Sequence, residues 1–258
     1  MSPFTIKARI RRIQRHLGVE DDGLIGPVTL SAIENALGIG TESANLVISY
    51  HGLEILIGFE ITSESHYRRR LSSPHWPGGA SGVTVGIGYD LGYNSVRQIE
   101  RDWKGRISDA TLQELKGVAG LKGIDAREAA DRLRQLGIQI PLEAAKVVFF
   151  RHTLPRYAVM TRKAYPGVEA LPHDAQAALL SLIFNRGTAK RGARRREMKA
   201  IEALVRSQSL GGIAEQIRSM KRLWVDKDLP GLLKRREMEA TLVENAERAY
   251  HEEELVYL

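Results

Sequence analysis

Between Ala175 and Phe184 the chain has almost no polar face. A helix apolar on nearly every side has nowhere to go but the middle of other elements. This run therefore predicts a buried central helix, closed by Asn185-Arg186-Gly187. The chain shows no internal repeat, and its other helical patterns are amphipathic or charged. It is long enough to bury such a run: 258 residues, 43% hydrophobic and 27% charged, ordinary for a folded domain with a real core.

Before that run the pattern is mostly helical with one β-rich interruption. Ser49 is placed to N-cap a helix that carries Leu53, Leu56 and Ile57 and ends near Glu60. Residues 72–93 are rich in Gly, Pro and Ser and read as loop followed by short strands. After them, Asp125-x-x-Glu128 has capping-box spacing, in a helix that ends at Gly137. Pro141 opens another helix, expected to run to about Leu154 before Pro155. The charged stretch from Glu244 to Glu254 reads as a solvated helix.

The N-terminal residues form a separate unit. Ile6, Ile10, Ile13 and Leu17 recur at helical spacing, and Gly18 stops the helix. The loop Asp21–Pro27 has turn chemistry throughout. Pro27 then suits the first turn of a second helix with Leu30, Ile33 and Leu37. At Asp22-Gly23-x-x-Gly26-Pro27-x-Thr29 this unit resembles the peptidoglycan-binding type 1 module. The resemblance implies wall binding through Asp22, Gly23, Gly26, Pro27 and Thr29. A linker is expected at 38–43, so that residues 1–40 form the module and residues 44–258 the main domain.

Charge and composition narrow the partners. There are no cysteines, which removes disulfides and thiolate metal sites. The net charge of +7 points to an anionic partner, whether cell wall, lipopolysaccharide or nucleic acid. The densest basic run, Lys190 to Arg196, lacks interleaved aromatics and any nucleic-acid motif. It reads as a solvated helix start, and nucleic acid is not expected. No apolar run reaches membrane-spanning length, and the N-terminus lacks a signal-peptide core. Synthesis in the host cytoplasm is therefore expected, with export through other machinery. The histidines His51, His66, His75 and His152 show no paired metal spacing, so no metal and no cofactor are expected.

The chemistry concentrates in two places. Glu60 sits where an apolar helix runs out. There Phe59, Ile61 and the following lobe are placed to shield its carboxyl, and partial burial favours the protonated form that a general acid requires. In Thr84-Val85-Gly86-Ile87-Gly88-Tyr89-Asp90, strand alternation would put Thr84, Gly86, Gly88 and Asp90 on one face; the alternative is a β-hairpin with a turn aspartate at Asp90-Leu91-Gly92. The glycines would leave that face open for a sugar ring or a water. Two carboxyls in different environments with room for a water between them suit glycoside hydrolysis.

Four motifs carry a resemblance to phage-type lysozymes. Ile48-Ser49-x-x-Gly52-Leu53 leading to Phe59-Glu60 resembles their opening helix. Thr84-Val85-Gly86-Ile87-Gly88 is similar to their catalytic threonine strand. Ala177 to Gly187 resembles their central helix, and Gly231 to Glu239 their late Gly-Leu-x-x-Arg-Arg-x-x-Glu signature. The motifs occur in the family's order across residues 46–245. One position departs: Gly78 stands where those lysozymes place an aspartate six residues before the threonine. The acid lies instead six residues after Thr84, at Asp90, as in the lysozyme-like domain of the bacteriocin pesticin and related phage proteins.

The resemblance implies a mainly helical α+β fold with a small β-lobe, and an endolysin muramidase acting on bacterial peptidoglycan in the periplasm or outside the cell. Its catalytic residues would be Glu60, Thr84 and Asp90. Gly86, Gly88, Tyr89 and Asn185 would contact substrate, and a holin would provide export; independently of the resemblance, His75-Trp76 is placed to border the groove, with Trp76 contacting substrate, because aromatics stack on sugar faces. Asn185 is also placed to satisfy backbone groups at a helix end, and Arg235 and Arg236 to pair with local glutamates. Three rivals stay open: the same enzyme as a secreted antibacterial effector, a wall-binding protein with an inactive lysozyme fold, and a lytic transglycosylase working with Glu60 alone.

Overall fold

The computed structural model describes residues 5–26, 29, 32–33, 36, 46–61 and 63–258. They fall in two compact units. One holds residues 1–45 with Tyr257, the other residues 46–256 with Leu258. Pro27, Leu30, Leu37 and the linker expected at 38–43 lie outside the described residues.

In the first unit, α1 (Ile6–Leu17) starts on Thr5, whose hydroxyl accepts from the Ala8 amide, and stops at Gly18 with φ +69°. The buried residue of α1 is Gln14, not one of its isoleucines, and Ile6 and Ile13 are exposed. The Gln14 amide nitrogen donates to Asp22 Oδ1, the Leu24 carbonyl and Thr29 Oγ1 at 2.7, 2.8 and 2.9 Å. Its oxygen accepts from the Gly23 amide at 2.8 Å. A buried amide pays off its desolvation only through such partners, and here they draw the loop around one side chain. Gly23 and Thr29 are thus buried in the unit and Asp22 is bonded to it from an exposed position, while Gly26 has nothing near its α-carbon face.

The second unit is mainly helical with small antiparallel sheets. Strand β1 (Val47–Ser49) leads into α2 (Tyr50–Glu60), whose N-cap is Ser49, accepting from the Gly52 amide at 3.0 Å. Leu46 and Leu258 exchange backbone hydrogen bonds of 3.2 and 2.9 Å and bring the end of the unit back to its start. After α3 (Glu64–Arg70) comes a hairpin of β2 (Thr84–Val85) and β3 (Tyr89–Asp90). Helices α4 (Val96–Trp103), α5 (Asp109–Gly117) and α6 (Gly123–Gln135) follow.

The expected capping box is not formed. The N-cap of α6 is Lys122, with no side-chain cap bond. The helix starts earlier because Gly123, at φ +61°, turns the chain while its amide is held by the Ser81 carbonyl at 3.0 Å. Asp125 and Glu128 then lie inside the helix.

The expected break at Pro155 is also absent. Leu142–Val148 continues through a π turn, Phe149–Thr153, into Leu154–Ala164; together they are α7. The Leu154 amide bonds five residues back, to the Phe149 carbonyl. The inserted residue widens the helix just before the proline, whose ring would otherwise clash with the preceding turn.

Helix α8 (His173–Arg186) is the buried helix foreseen from the sequence, with every residue from Asp174 to Ile183 buried. It packs against β1, α2, α7 and α11 (Pro230–Glu244). Two of its buried polar side chains are bonded in the core: Gln176 reaches the Val47 amide and the Leu171 carbonyl, and Ser181 donates to Glu239 at 2.6 Å. Gly52 lets α2 approach closely, since a Cβ there would lie 2.3 Å from that of Ala177. Helices α9 (Arg196–Arg206) and α10 (Leu210–Ser219) complete the lobe against α11. The charged tail differs from expectation. α11 ends at Glu244, and residues 245–251 are irregular. Ion pairs from Arg248 to Asp174 and Glu254 hold it in place of helical bonds. No helix among the described residues is long and apolar enough to cross a membrane.

Candidate active site

Thr84 and Asp90 are partners across the β2–β3 ladder, not neighbours along one strand. Gly86 and Gly88 adopt φ of +58° and +66°. A strand cannot run through two such residues, so the chain turns there and Asp90 returns opposite Thr84. The expected shared face exists, but hairpin pairing creates it, and Gly86 does not belong to it. Gly86 sits against Ala145 and Trp103 beneath the turn. Gly88 does face the cleft, where a Cβ would come within 2.9 Å of Phe184.

The backbone of Asp90 pairs with Thr84, and its carboxylate is cradled by amides. Oδ1 accepts from Gly82 at 3.1 Å and Gly92 at 2.8 Å, and Oδ2 from Gly82 at 3.0 Å. Burial pushes the Asp90 pKa above the ordinary carboxylate value; the Gly82 and Gly92 amides and the Lys122 charge act in the opposite sense and only partly offset it. Thr84 is buried, its amide and carbonyl bonded to His75 at 2.8 and 3.0 Å.

Glu60 ends α2 with 22% of its side chain exposed. Its Oε1 accepts from Arg235 Nη1 at 2.7 Å. The apolar cover expected from Phe59 and Ile61 is not what meets this carboxyl: its partner is the Arg235 cation, and Phe59 lies under that guanidinium, 5.2 Å from ring centre to cation. Arg235 is itself held by Glu239 Oε1 at 3.1 Å and by the Ser181 hydroxyl at 3.0 Å. Arg236 shares the same Glu239 oxygen at 2.8 Å. Arg235 thus spans from a local glutamate to one 175 positions earlier in the chain, a link that no sequence spacing reveals.

Glu60, Thr84 and Asp90 line one cleft of about 360 Å³ with His75, Tyr157, Phe184 and Asn185. A second cavity of about 750 Å³ shares Ser81, Gly88, Asp90, Tyr157 and Asn185 with it and extends past Tyr89, Arg156, Arg186 and Arg195. The two form a continuous groove. Asn185 is exposed in it, and its side chain makes no hydrogen bond among the described residues, so the expected helix-end bonding is not seen. Tyr89 reaches the groove edge while its hydroxyl donates to Asp102 at 2.9 Å. Trp76 does not line either cavity. Its indole donates to the Ser81 carbonyl at 3.1 Å, and its neighbours His75 and Pro77 face the cleft instead.

Among the groove residues that the sequence reading missed are Tyr157 and Arg156. Tyr157 lines both cavities, and its hydroxyl pKa is raised first by burial and then by the charges of Asp90 and Glu60, which puts it in the field of both carboxylates. Arg156 pairs with the buried Asp102 at 2.7 Å and lies over the Tyr89 ring. With Thr153 and Met160 they form one helical stripe at i, i+3, i+4 and i+7 just after the π turn. That stripe was the available signal, hidden by the helix end expected at Leu154. Among the described residues no group of three or more His, Cys, Asp or Glu side chains is placed to hold a metal.

A family model described as a domain of unknown function (DUF8812) matches residues 56–163, less than half of the chain. The matched stretch contains Glu60, Thr84, Asp90, Arg156 and Tyr157 and stops before Asn185 and Arg235. No curated protein matches the chain.

Proposed function

We propose that this chain is a peptidoglycan hydrolase of lysozyme-like fold, a muramidase that cleaves the β-1,4 bond between N-acetylmuramic acid and N-acetylglucosamine. The reading rests on one observation: Glu60, from a helix end, and the Thr84–Asp90 pair, from a hairpin, line a single cleft. That cleft adjoins the larger cavity, with which it shares five lining residues. In the proposed reaction Glu60, held by Arg235, protonates the leaving glycosidic oxygen. Asp90 and the Thr84 hydroxyl position a water or stabilise positive charge at the anomeric carbon. Residues 1–40 would hold the enzyme on the wall, and the biological setting would be an endolysin released with a holin or a secreted antibacterial effector.

One observation favours the rival of an inactive wall-binding fold: both Asp90 oxygens accept from backbone amides, as a purely structural carboxylate would. Mass spectrometry of fragments from digested sacculi separates the readings. Fragments with reducing N-acetylmuramic acid support the muramidase, anhydro sugars indicate a transglycosylase, and undigested sacculi leave the wall-binding protein.

A further inference from the structure

The far end of the groove holds positive charge that the protein itself does not neutralise. Arg186 and Arg195 both line the larger cavity. Neither forms an ion pair among the described residues. The nearby carboxylates are taken by other cations: Glu197 by Arg196 and Arg222, Glu202 by Lys190 and Arg206. What the two arginines have is neutral. Arg186 donates to the Arg194 carbonyl at 2.7 Å, and Arg195 donates to the Arg186 carbonyl at 2.5 Å and touches Met198 Sδ at 3.3 Å. The Arg186 guanidinium stacks on Trp224, and its Nε is buried with no partner. Burial, followed by the repulsion of Arg195, Arg236 and Arg194, pushes the Arg186 pKa down to about 10. Two like charges held side by side without a counterion cost energy that a bound anion removes.

The anion is defined by where the site lies. The larger cavity shares five lining residues with the cleft that holds Glu60 and Asp90. A ligand there belongs to the same substrate molecule, within a sugar or two of the scissile bond. On a glycan of alternating N-acetylated sugars the acidic groups are the lactyl carboxylate of a muramic acid without peptide and, where the peptide is attached and the lactyl group is an amide, the carboxylates of the peptide stem. We propose that Arg186 and Arg195 form a carboxylate-binding site for the peptide stem. The assignment of the ligand rests on the muramidase reading.

The test measures binding, not turnover. The wild-type chain is titrated with the disaccharide tetrapeptide that a muramidase releases, which contains no further cleavable bond. It is also titrated with the same compound after carbodiimide conversion of its carboxylates to carboxamides. The acid form is expected to bind about tenfold more tightly, the scale of one charge-assisted hydrogen-bonded pair. Arg195→Gln should weaken binding of the acid form by about the same factor and erase the difference. Arg195→Lys should keep most of it, and Lys199→Gln, an equal change of net charge on an exposed residue outside the groove, should keep all of it. Phenylglyoxal labelling of the wild-type chain, read by peptide mass spectrometry, gives a check that needs no variant: the ligand should protect Arg186 and Arg195. Equal affinity for the two compounds overturns the site, as does a preference that survives in folded Arg195→Gln or a lack of protection. Sacculi that stay intact would instead overturn the muramidase reading, and the carboxylate preference would still be measured.

Discussion

Glu60 Oε1 and Arg235 Nη1 are 2.7 Å apart, joined from the end of α2 and the middle of α11. The pair fixes the rotamer of the proposed acid, because Arg235 is clamped from behind by Glu239 and Ser181.

Glu60→Gln should abolish wall lysis and leave the fold intact. The amide keeps the shape and still accepts from Arg235 but cannot deliver a proton. With Glu60 partly exposed, the lost ion pair should cost no more than about 1 kcal/mol. Arg235→Met is the contrasting variant. It leaves the buried Glu239 with one cation fewer and should destabilise by about 3 kcal/mol. Urea denaturation of both, next to turbidity loss of sacculi, checks the pair; near-normal lysis by folded Glu60→Gln would remove Glu60 from the mechanism.

The raised pKa of Asp90 sets the direction of two pH effects. If the carboxylate form works on substrate, lysis should rise with pH through a limb lying above the usual carboxylate range of about 4. Stability should move the other way. The folded chain binds this proton more tightly than the unfolded chain, so stability declines as pH rises from the unfolded pKa through the folded one. Asp90→Asn should remove both dependences while keeping the Gly82 and Gly92 contacts through its amide oxygen. Denaturation midpoints and lysis rates followed from the usual carboxylate range of about 4 upward in pH read both.

The stereochemical outcome should be inversion. Thr84 sits directly across the ladder from Asp90, and a hydroxyl in that position serves a water better than it serves a carboxylate nucleophile. Proton NMR of the first product should show the α-anomer from the β-linked glycan. A β-anomer appearing first, or a glycosyl ester trapped on Asp90, would replace the water by direct attack.

Removal of residues 1–40 should weaken pelleting with intact sacculi more than it slows cleavage of soluble glycan fragments. Gln14→Ala should mimic part of that loss. It leaves the Asp22–Thr29 loop without its central amide, at a cost of about 1–3 kcal/mol for the stranded partners. Unchanged pelleting by a folded truncation would argue against wall binding by this unit.

From the sequence alone came the buried helix through Ala175–Ile183, the Ser49 cap and the helix end at Glu60, the stop at Gly18 and the β-segment around Thr84. Each follows from local chemistry: an all-round apolar surface, a hydroxyl over free amides, a glycine where φ turns positive. Tertiary structure decided the rest. It folded Thr84–Asp90 into a hairpin, because two positive-φ glycines mark a turn only once both flanking strands have found each other. It carried α7 through Pro155 by a π turn and so brought Arg156 and Tyr157 to the groove. It set Arg235 against Glu60 and Gln14 inside its loop. These contacts join residues whose separation along the chain has no period. Periodicity reports which face a residue occupies, and only packing reports what that face meets.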